Sequence, residues 1–209
     1  GVWWYDTTRV LGIVLGWVPL EEYTFFVLQT ALTGLWLIVL LSVPSLQPRA
    51  DAPGERGSSS MSPSGRWRWL PWRPGLAAAG CVAVLWLAAV AVLAAGPQTA
   101  FYLAIELAWF LPPVVLQLAV GANILWRRRR LVFVALVAPV TYLAATDAYA
   151  IREGIWSISP RHTLGVALGG VLPLEEIVFF ALTNILIVFG MTLFVDIGQR
   201  LVADGESHV

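Results

Sequence analysis

Two pairs of adjacent glutamates, Glu21-Glu22 and Glu175-Glu176, are the residues whose type and setting best suit chemistry. Each pair sits in the same frame, Pro-Leu-Glu-Glu, and Phe25-Phe26 and Phe179-Phe180 follow at helical spacing. The flanking sequence is strongly apolar. Burial in such surroundings disfavours the charged form of a carboxyl. A neutral buried carboxyl is a proton donor near neutral pH, which is general acid work. Glu106 and Asp147 lie inside apolar runs of their own and extend the set. Ionisable groups within a membrane span are functional candidates by default.

A plainer role is also open to these residues. Proline suits the first turn of a helix, where its missing N–H has no partner to lose. Glutamates in that turn face the positive end of the helix dipole. The pairs then act as capping carboxylates at a membrane boundary, and Asp147 as a polar contact between helices. The recurrence of the pair with the same flanks favours the chemical role. Adjacent helical residues point about 100° apart. One Glu of each pair is therefore expected to face a cavity and the other to bond to a neighbouring helix.

Acids set among many aromatics, without a metal or redox group, suit protonation of an alkene. The carbocation that results is stabilised by ring faces, at about 2 kcal/mol per contact in a dry site. Trp3, Trp4, Tyr5, Phe25, Phe26, Trp156, Phe179 and Phe180 are candidates for those contacts, although aromatics also pack cores and belt interfaces. No cofactor and no metal are expected.

Composition narrows the classes further. All 13 basic residues are Arg, so no lysine Schiff base and no P-loop lysine is available. One Cys and two His leave little for a zinc site or a disulfide framework. No Asp-rich cluster for Mg²⁺ and diphosphate is present, which disfavours a prenyltransferase. No Gly-x-Gly-x-x-Gly follows a strand, which disfavours a flavin enzyme. Charged residues make up 12% of the 209, against roughly 25% in a soluble domain. With a mean hydropathy of +0.76, the chain reads as a membrane protein, and nucleic acid is not an expected partner.

The elements that must position the acids are long apolar runs, since a spanning helix needs about 20 such residues. Five are expected, at about 18–43, 75–95, 99–126, 131–151 and 171–197. Pro112-Pro113 should kink or split the third. Residues 44–74, rich in Pro, Gly, Ser and Arg, read as a surface linker. Within it, Trp67, Trp69 and Trp72 alternate with arginines in the manner of an interfacial anchor. Five helices put the linker, the 127–130 turn and the 198–209 tail on one side, with ten of the 13 arginines. The positive-inside rule makes that side cytoplasmic. The expected location is the cell (inner) membrane, multi-pass, with lipid as a neighbour.

The chain also carries an internal repeat. Gly1-Val2-Trp3 matches Gly154-Ile155-Trp156, Leu11-Gly12 matches Leu164-Gly165, and Leu15-Gly16 matches Leu168-Gly169. After one inserted residue the two Pro-Leu-Glu-Glu motifs align, with their phenylalanines. Both copies feed a helix in the same direction, so they should be related by a pseudo-twofold along the membrane normal. The fold class is therefore all-α: a polytopic transmembrane bundle of two parallel pseudo-symmetric repeats, five helices in this chain. Residues 1–43 close the first repeat, 75–95 link, and 99–197 form the second. The second copy has two helices before its Gly-x-Trp segment, so two more are expected upstream of Gly1 or from a partner subunit.

Gly-Val-Trp-Trp-Tyr-Asp (1–6) followed by Val-Pro-Leu-Glu-Glu-Tyr-Thr-Phe-Phe (18–26) closely resembles the membrane-integral lycopene cyclase domain, of the heterodimeric or fused type. So do Thr-Asp-Ala-Tyr-Ala-Ile (146–151), Gly-Ile-Trp-Ser-Ile-Ser-Pro (154–160) and Leu-Pro-Leu-Glu-Glu-Ile-Val-Phe-Phe (172–180). The resemblance covers most of the chain except the linker and second helix. It implies cyclisation of the ends of a linear carotenoid in the bilayer, without net redox change. It makes Glu21, Glu22, Glu175, Glu176 and Asp147 the acid/base candidates. Trp3, Trp4, Phe25, Phe26, Glu106, Trp156, Phe179 and Phe180 are then the substrate-binding candidates. Two other readings stay open: a proton-coupled transporter or channel, and a non-catalytic subunit of a heterodimeric cyclase.

Overall fold

The computed structural model describes residues 2–6, 8–47, 73–96 and 98–206. The interfacial Trp/Arg run and most of the linker fall outside them. The elements run β1 (Trp3–Tyr5), β2 (Val14–Leu15), β3 (Val18–Pro19), α1 (Leu20–Leu41), α2 (Arg73–Ala95), α3 (Phe101–Arg127) and α4 (Arg129–Arg152). They continue with β4 (Trp156–Ile158), β5 (Ala167–Leu168), β6 (Leu172–Pro173) and α5 (Leu174–Glu206). All five helices hold segments long and apolar enough to cross a membrane. At 1.5 Å per residue, the 22 residues of α1 cover roughly the 30 Å hydrocarbon core.

The helices gather around α5, which packs against α1, α3 and α4, while α2 lies along α3. The α1–α5 contact is built from polar and small residues, as suits helices that gain nothing from excluding water in lipid. Gln29 Nε2 donates to Thr183 Oγ1, and Thr33 Oγ1 donates to Asn184 Oδ1, all four buried. Toward the other end Leu37, Leu40, Leu125, Leu131, Val188 and Leu193 form the apolar core.

The third helix is continuous through Pro112 and Pro113, contrary to the expected kink. Pro112 leaves the Ala108 carbonyl without its intrahelical donor. Trp86 Nε1 on α2 donates to that carbonyl at 3.0 Å and fills the vacancy. The departure from helical geometry falls instead at Gly121. A Cβ there would stand 2.0 Å from Leu193 Cδ2, so glycine lets α5 approach α3 closely.

Arg128 joins three elements at one end of the bundle. Its Nε and Nη2 donate to Asp196 Oδ1 on α5 at 3.3 and 3.2 Å, and its Nη1 donates to Gln47 Oε1 beyond α1 at 2.9 Å. The exit of α1, the α3–α4 turn and the later part of α5 therefore share a side. Asp196 is a seventh acid within the apolar runs, and unlike the other six it has arginine partners, Arg128 and, at 3.9 Å, Arg127.

Among the described residues, three small two-stranded sheets interrupt the helical plan at the opposite end. β2 pairs with β3, and β5 with β6, as tight hairpins just before α1 and α5. The residue inserted between the sequence repeats falls in the hairpin turn, Gly16-Trp17 in one copy and Gly169-Gly170-Val171 in the other. β1 and β4 pair antiparallel with Trp3 opposite Ile158, Trp4 opposite Ser157 and Tyr5 opposite Trp156. Trp4 thus faces its own counterpart in the repeat, and the flanking pairs exchange under a twofold between them.

Candidate active site

Both glutamate pairs stand at the first turn of their helices, α1 and α5. Pro19 precedes α1 in extended conformation and offers no side-chain cap. The hairpins meet that need with backbone groups. Leu20 N–H donates to the Ile13 carbonyl, and Leu174 N–H to the Val166 carbonyl, both at 2.9 Å.

The first glutamate of each pair turns back to the hairpin. Glu21 Oε1 accepts the Leu11 N–H at 2.5 Å, and Glu175 Oε1 accepts the Leu164 N–H at 2.6 Å. Gly12 and Gly165 follow those two leucines with φ of +75° and +72°, a bend that glycine adopts without penalty. The contact is to backbone of the preceding loop, where a bond to a neighbouring helix was expected. The reason is local: the hairpin folds over the helix start and brings an unpaired N–H to the carboxyl.

The second glutamate of each pair turns inward. Glu22 Oε1 accepts from the Tyr5 hydroxyl at 3.0 Å. Glu176 Oε1 accepts from the Tyr102 hydroxyl at 2.7 Å and, in a long contact of 3.5 Å, from Trp3 Nε1. Asp147 Oδ1 accepts from Trp156 Nε1 at 3.0 Å, while its Oδ2 is buried without a partner. Glu106 is 4% exposed, and neither of its carboxyl oxygens has a hydrogen-bond partner. Glu22, Glu106 and Asp147 all lie near enough to Glu176 to interact with it electrostatically. Four acids from α1, α3, α4 and α5 therefore converge on one place. The ion pairs among the described residues lie elsewhere, at Arg9 with Asp6 and at Arg127 and Arg128 with Asp196.

Two groups on β1 and its loop differ from these. Burial, and then the neighbouring Glu22 carboxyl, push the Tyr5 phenol above the ordinary tyrosine range, so it remains a donor. Asp6 is held below the usual carboxylate range by donation from the Thr8 hydroxyl and backbone N–H. Asp6 serves the turn and does not join the acids.

The phenylalanines meet across the α1–α5 contact. Phe25 packs edge-to-face on Phe180 at 6.0 Å, and Phe26 on Phe179 at 5.9 Å, the crossed arrangement a twofold produces. Phe110 adds a third edge to Phe179 at 5.8 Å. Trp3 stands edge-on to Tyr102, with centroids 5.0 Å apart. Trp4 points to the other face of its strand, is half-exposed, and its side chain makes no ring contact or hydrogen bond among the described residues. An apolar groove of about 370 Å³ lies toward the arginine end, lined by Leu118, Trp126, Phe133 and Phe189 among others.

Tyr102 is the site residue that reasoning from sequence missed. A lone tyrosine in an apolar run reads as an interfacial aromatic. The available signal was its spacing, one helical turn before Glu106 on the same face of α3.

The sequence profile of the family described as Lycopene cyclase matches residues 1–41 and 98–194, leaving out the linker and α2. A lycopene beta-cyclase of Halobacterium salinarum is 38% identical over 194 residues, which cover 93% of this chain and 72% of that protein. A bifunctional lycopene cyclase/phytoene synthase of Podospora anserina is 36% identical over 92% of this chain and 31% of its own length. The like-named protein of Phaffia rhodozyma is 31% identical over 92% of this chain and 28% of its own. No solved structure matches. The profile and the similarity to the Halobacterium protein place this chain in the lycopene cyclase family.

Proposed function

We propose that the chain cyclises the ends of a linear carotenoid of the lycopene type within the bilayer. The observation that carries this reading is the convergence of Glu22, Glu106, Asp147 and Glu176 beside a cluster of aromatic rings. A terminal double bond takes a proton from a carboxyl, the neighbouring alkene attacks the cation, and a carboxylate removes a proton as the ring closes. The step is an isomerisation, so no electron acceptor is consumed. Glu176 is the acid in this proposal, because it lies where the other carboxyls meet. Glu22 and Asp147 are the base candidates. Glu21 and Glu175 position the hairpins over the site. Phe25, Phe26, Phe179 and Phe180 offer ring faces and edges to the developing cation.

The same proposal assigns residues 1–43 and 99–197 to two halves related by a pseudo-twofold, joined by the 44–74 linker and the 75–95 helix. It places the Arg128 end of the bundle in the cytoplasm, where the arginines concentrate. The apolar groove near Trp126 suits the unreactive part of a polyene. Family membership favours this reading over a proton-coupled transporter.

The test is pigment conversion in a lycopene-producing bacterial host expressing the full-length protein. Red linear pigment should give way to yellow cyclic products. Glu176→Gln, at unchanged membrane abundance, should abolish the change. Retained conversion would remove Glu176 from the acid role.

A further inference from the structure

Tyr102 is 2% exposed, and its hydroxyl donates to Glu176. Its ring is held by Trp3, and its backbone N–H donates to the His162 carbonyl at 3.1 Å, so its place is fixed from two sides. A phenol that donates its one proton still has lone pairs free to accept. Glu106 stands one turn further along the same face of α3, beside that hydroxyl. Among the described residues it is the one member of the carboxyl set with no hydrogen bond of normal geometry at either oxygen, and its carboxyl lies within reach of the Tyr102 hydroxyl. In its acid form it can supply the donor that the Tyr102 oxygen lacks. The hydrogen bonds then run in one direction, from Glu106 through Tyr102 to Glu176.

We infer that Tyr102 is a positioning residue that links Glu106 to Glu176 and forms the path by which Glu176 regains its proton between turnovers. This rests on the reading of Glu176 as the acid. Cyclisation adds a proton to the terminal alkene and releases another to a base on ring closure. The acid is left as carboxylate and must be refilled before the next substrate. In the return step the Glu106 O–H bond breaks and its proton passes to the Tyr102 oxygen. The Tyr102 proton moves to Glu176 Oε1. Glu106 becomes the carboxylate, Glu176 the acid, and the phenol is unchanged; the cycle closes when the base gives up the proton it took on ring closure and Glu106 takes one up from the medium. The other titratable groups around Glu176 are Glu22 on α1, Tyr5 on β1, Asp147 on α4 and Glu175 on α5, with Glu21 beside Glu22. None lies between Glu106 and Tyr102 in the chain of bonds described. His162 turns its Nδ1 to Ser159, and Arg152 and Arg161 are exposed.

The test compares two regimes with the full-length cyclase in membranes, using lycopene as the probe. With enzyme in excess, only the first protonation is read. With lycopene in excess, the refilling step is read as well. Glu106→Gln should slow the second regime by about ten- to hundredfold more than the first, the range for losing one hydrogen bond to a charged group. Tyr102→Phe keeps the ring on Trp3; it should slow the second regime likewise and shift the pH profile of the first. If one variant fails to accumulate in the membrane, the other carries the comparison. Equal loss in both regimes for Glu106→Gln, or wild-type rates in both, overturns the path. Glu176→Gln separates the two proposals. Full activity there removes the acid assignment itself. Abolished activity there, with Glu106→Gln at wild-type rate, removes only the return path.

Discussion

Glu175 and Glu176 are chain neighbours that serve different partners: Glu175 holds the Leu164 N–H of the hairpin, and Glu176 holds the Tyr102 hydroxyl of α3. Glu21 and Glu22 divide in the same way, between the Leu11 N–H and the Tyr5 hydroxyl. The division predicts that variants of the two positions fail differently. Glu175→Ala should destabilise by about 1–3 kcal/mol and speed amide exchange in the hairpin, because the Leu164 N–H loses its carboxyl acceptor. Glu175→Gln retains a carbonyl acceptor and should exchange more nearly as the wild type. Glu176→Gln should leave hairpin exchange unchanged. Hydrogen exchange read over 164–170 checks all three.

Trp156 is the donor that orients Asp147 across the β4–α4 gap. Trp156→Phe keeps an aromatic ring, smaller than the indole, and removes the N–H, leaving both Asp147 oxygens without a partner. Stability should fall by about 1–3 kcal/mol, with a loss of cyclisation beyond that expected from abundance. Denaturation in detergent and pigment yield per membrane-bound protein measure the two parts. Unchanged yield would take Asp147 out of the reaction.

The Arg128–Asp196 pair is buried on both sides and also holds Gln47. Removing one partner leaves the other charge buried. Asp196→Ala should therefore cost about 3–5 kcal/mol. The site is at the other end of the bundle, so surviving protein should retain its activity per molecule. A thermal melt and a specific-activity assay on the same sample separate these effects.

Gly121 gives Leu193 its place against α3. Gly121→Ala should destabilise by about 1–3 kcal/mol through overpacking. Adding Leu193→Ala should recover part of that loss, because the clash is with the leucine tip. A double-mutant cycle on melting temperature would show the coupling, and strict additivity would refute it.

Tyr5 gives a pH signature. Its folded pKa lies above the unfolded one, so its contribution to stability is complete below the ordinary tyrosine value of 10.0 and is lost as pH rises beyond it. The melting temperature of the wild type should decline on the alkaline side more steeply than that of Tyr5→Phe. Identical slopes would show that burial and the Glu22 carboxyl do not hold the phenol in its protonated form.

Much of the architecture was legible in the residues alone. Apolar runs of spanning length set the five helices, because a helix satisfies its backbone hydrogen bonds within one such run in lipid. The repeated Pro-Leu-Glu-Glu frame marked the helix starts and singled out the acids. The arginine distribution divided the chain into two sides, and Gln47, Arg128 and Asp196 do meet at one of them. What the sequence could not assign was partnership. Which glutamate latches the hairpin depends on a backbone N–H delivered by the fold of residues 10–19 and 163–173. That Trp86 relieves Pro112, so that α3 stays helical through the prolines, depends on α2 lying along it. Tyr102 reaches Glu176 only because α3 and α5 pack side by side. Helices are local, written in periodicity and hydropathy. Hydrogen bonds between them join residues as far apart as Tyr102 and Glu176, and only tertiary packing decides those.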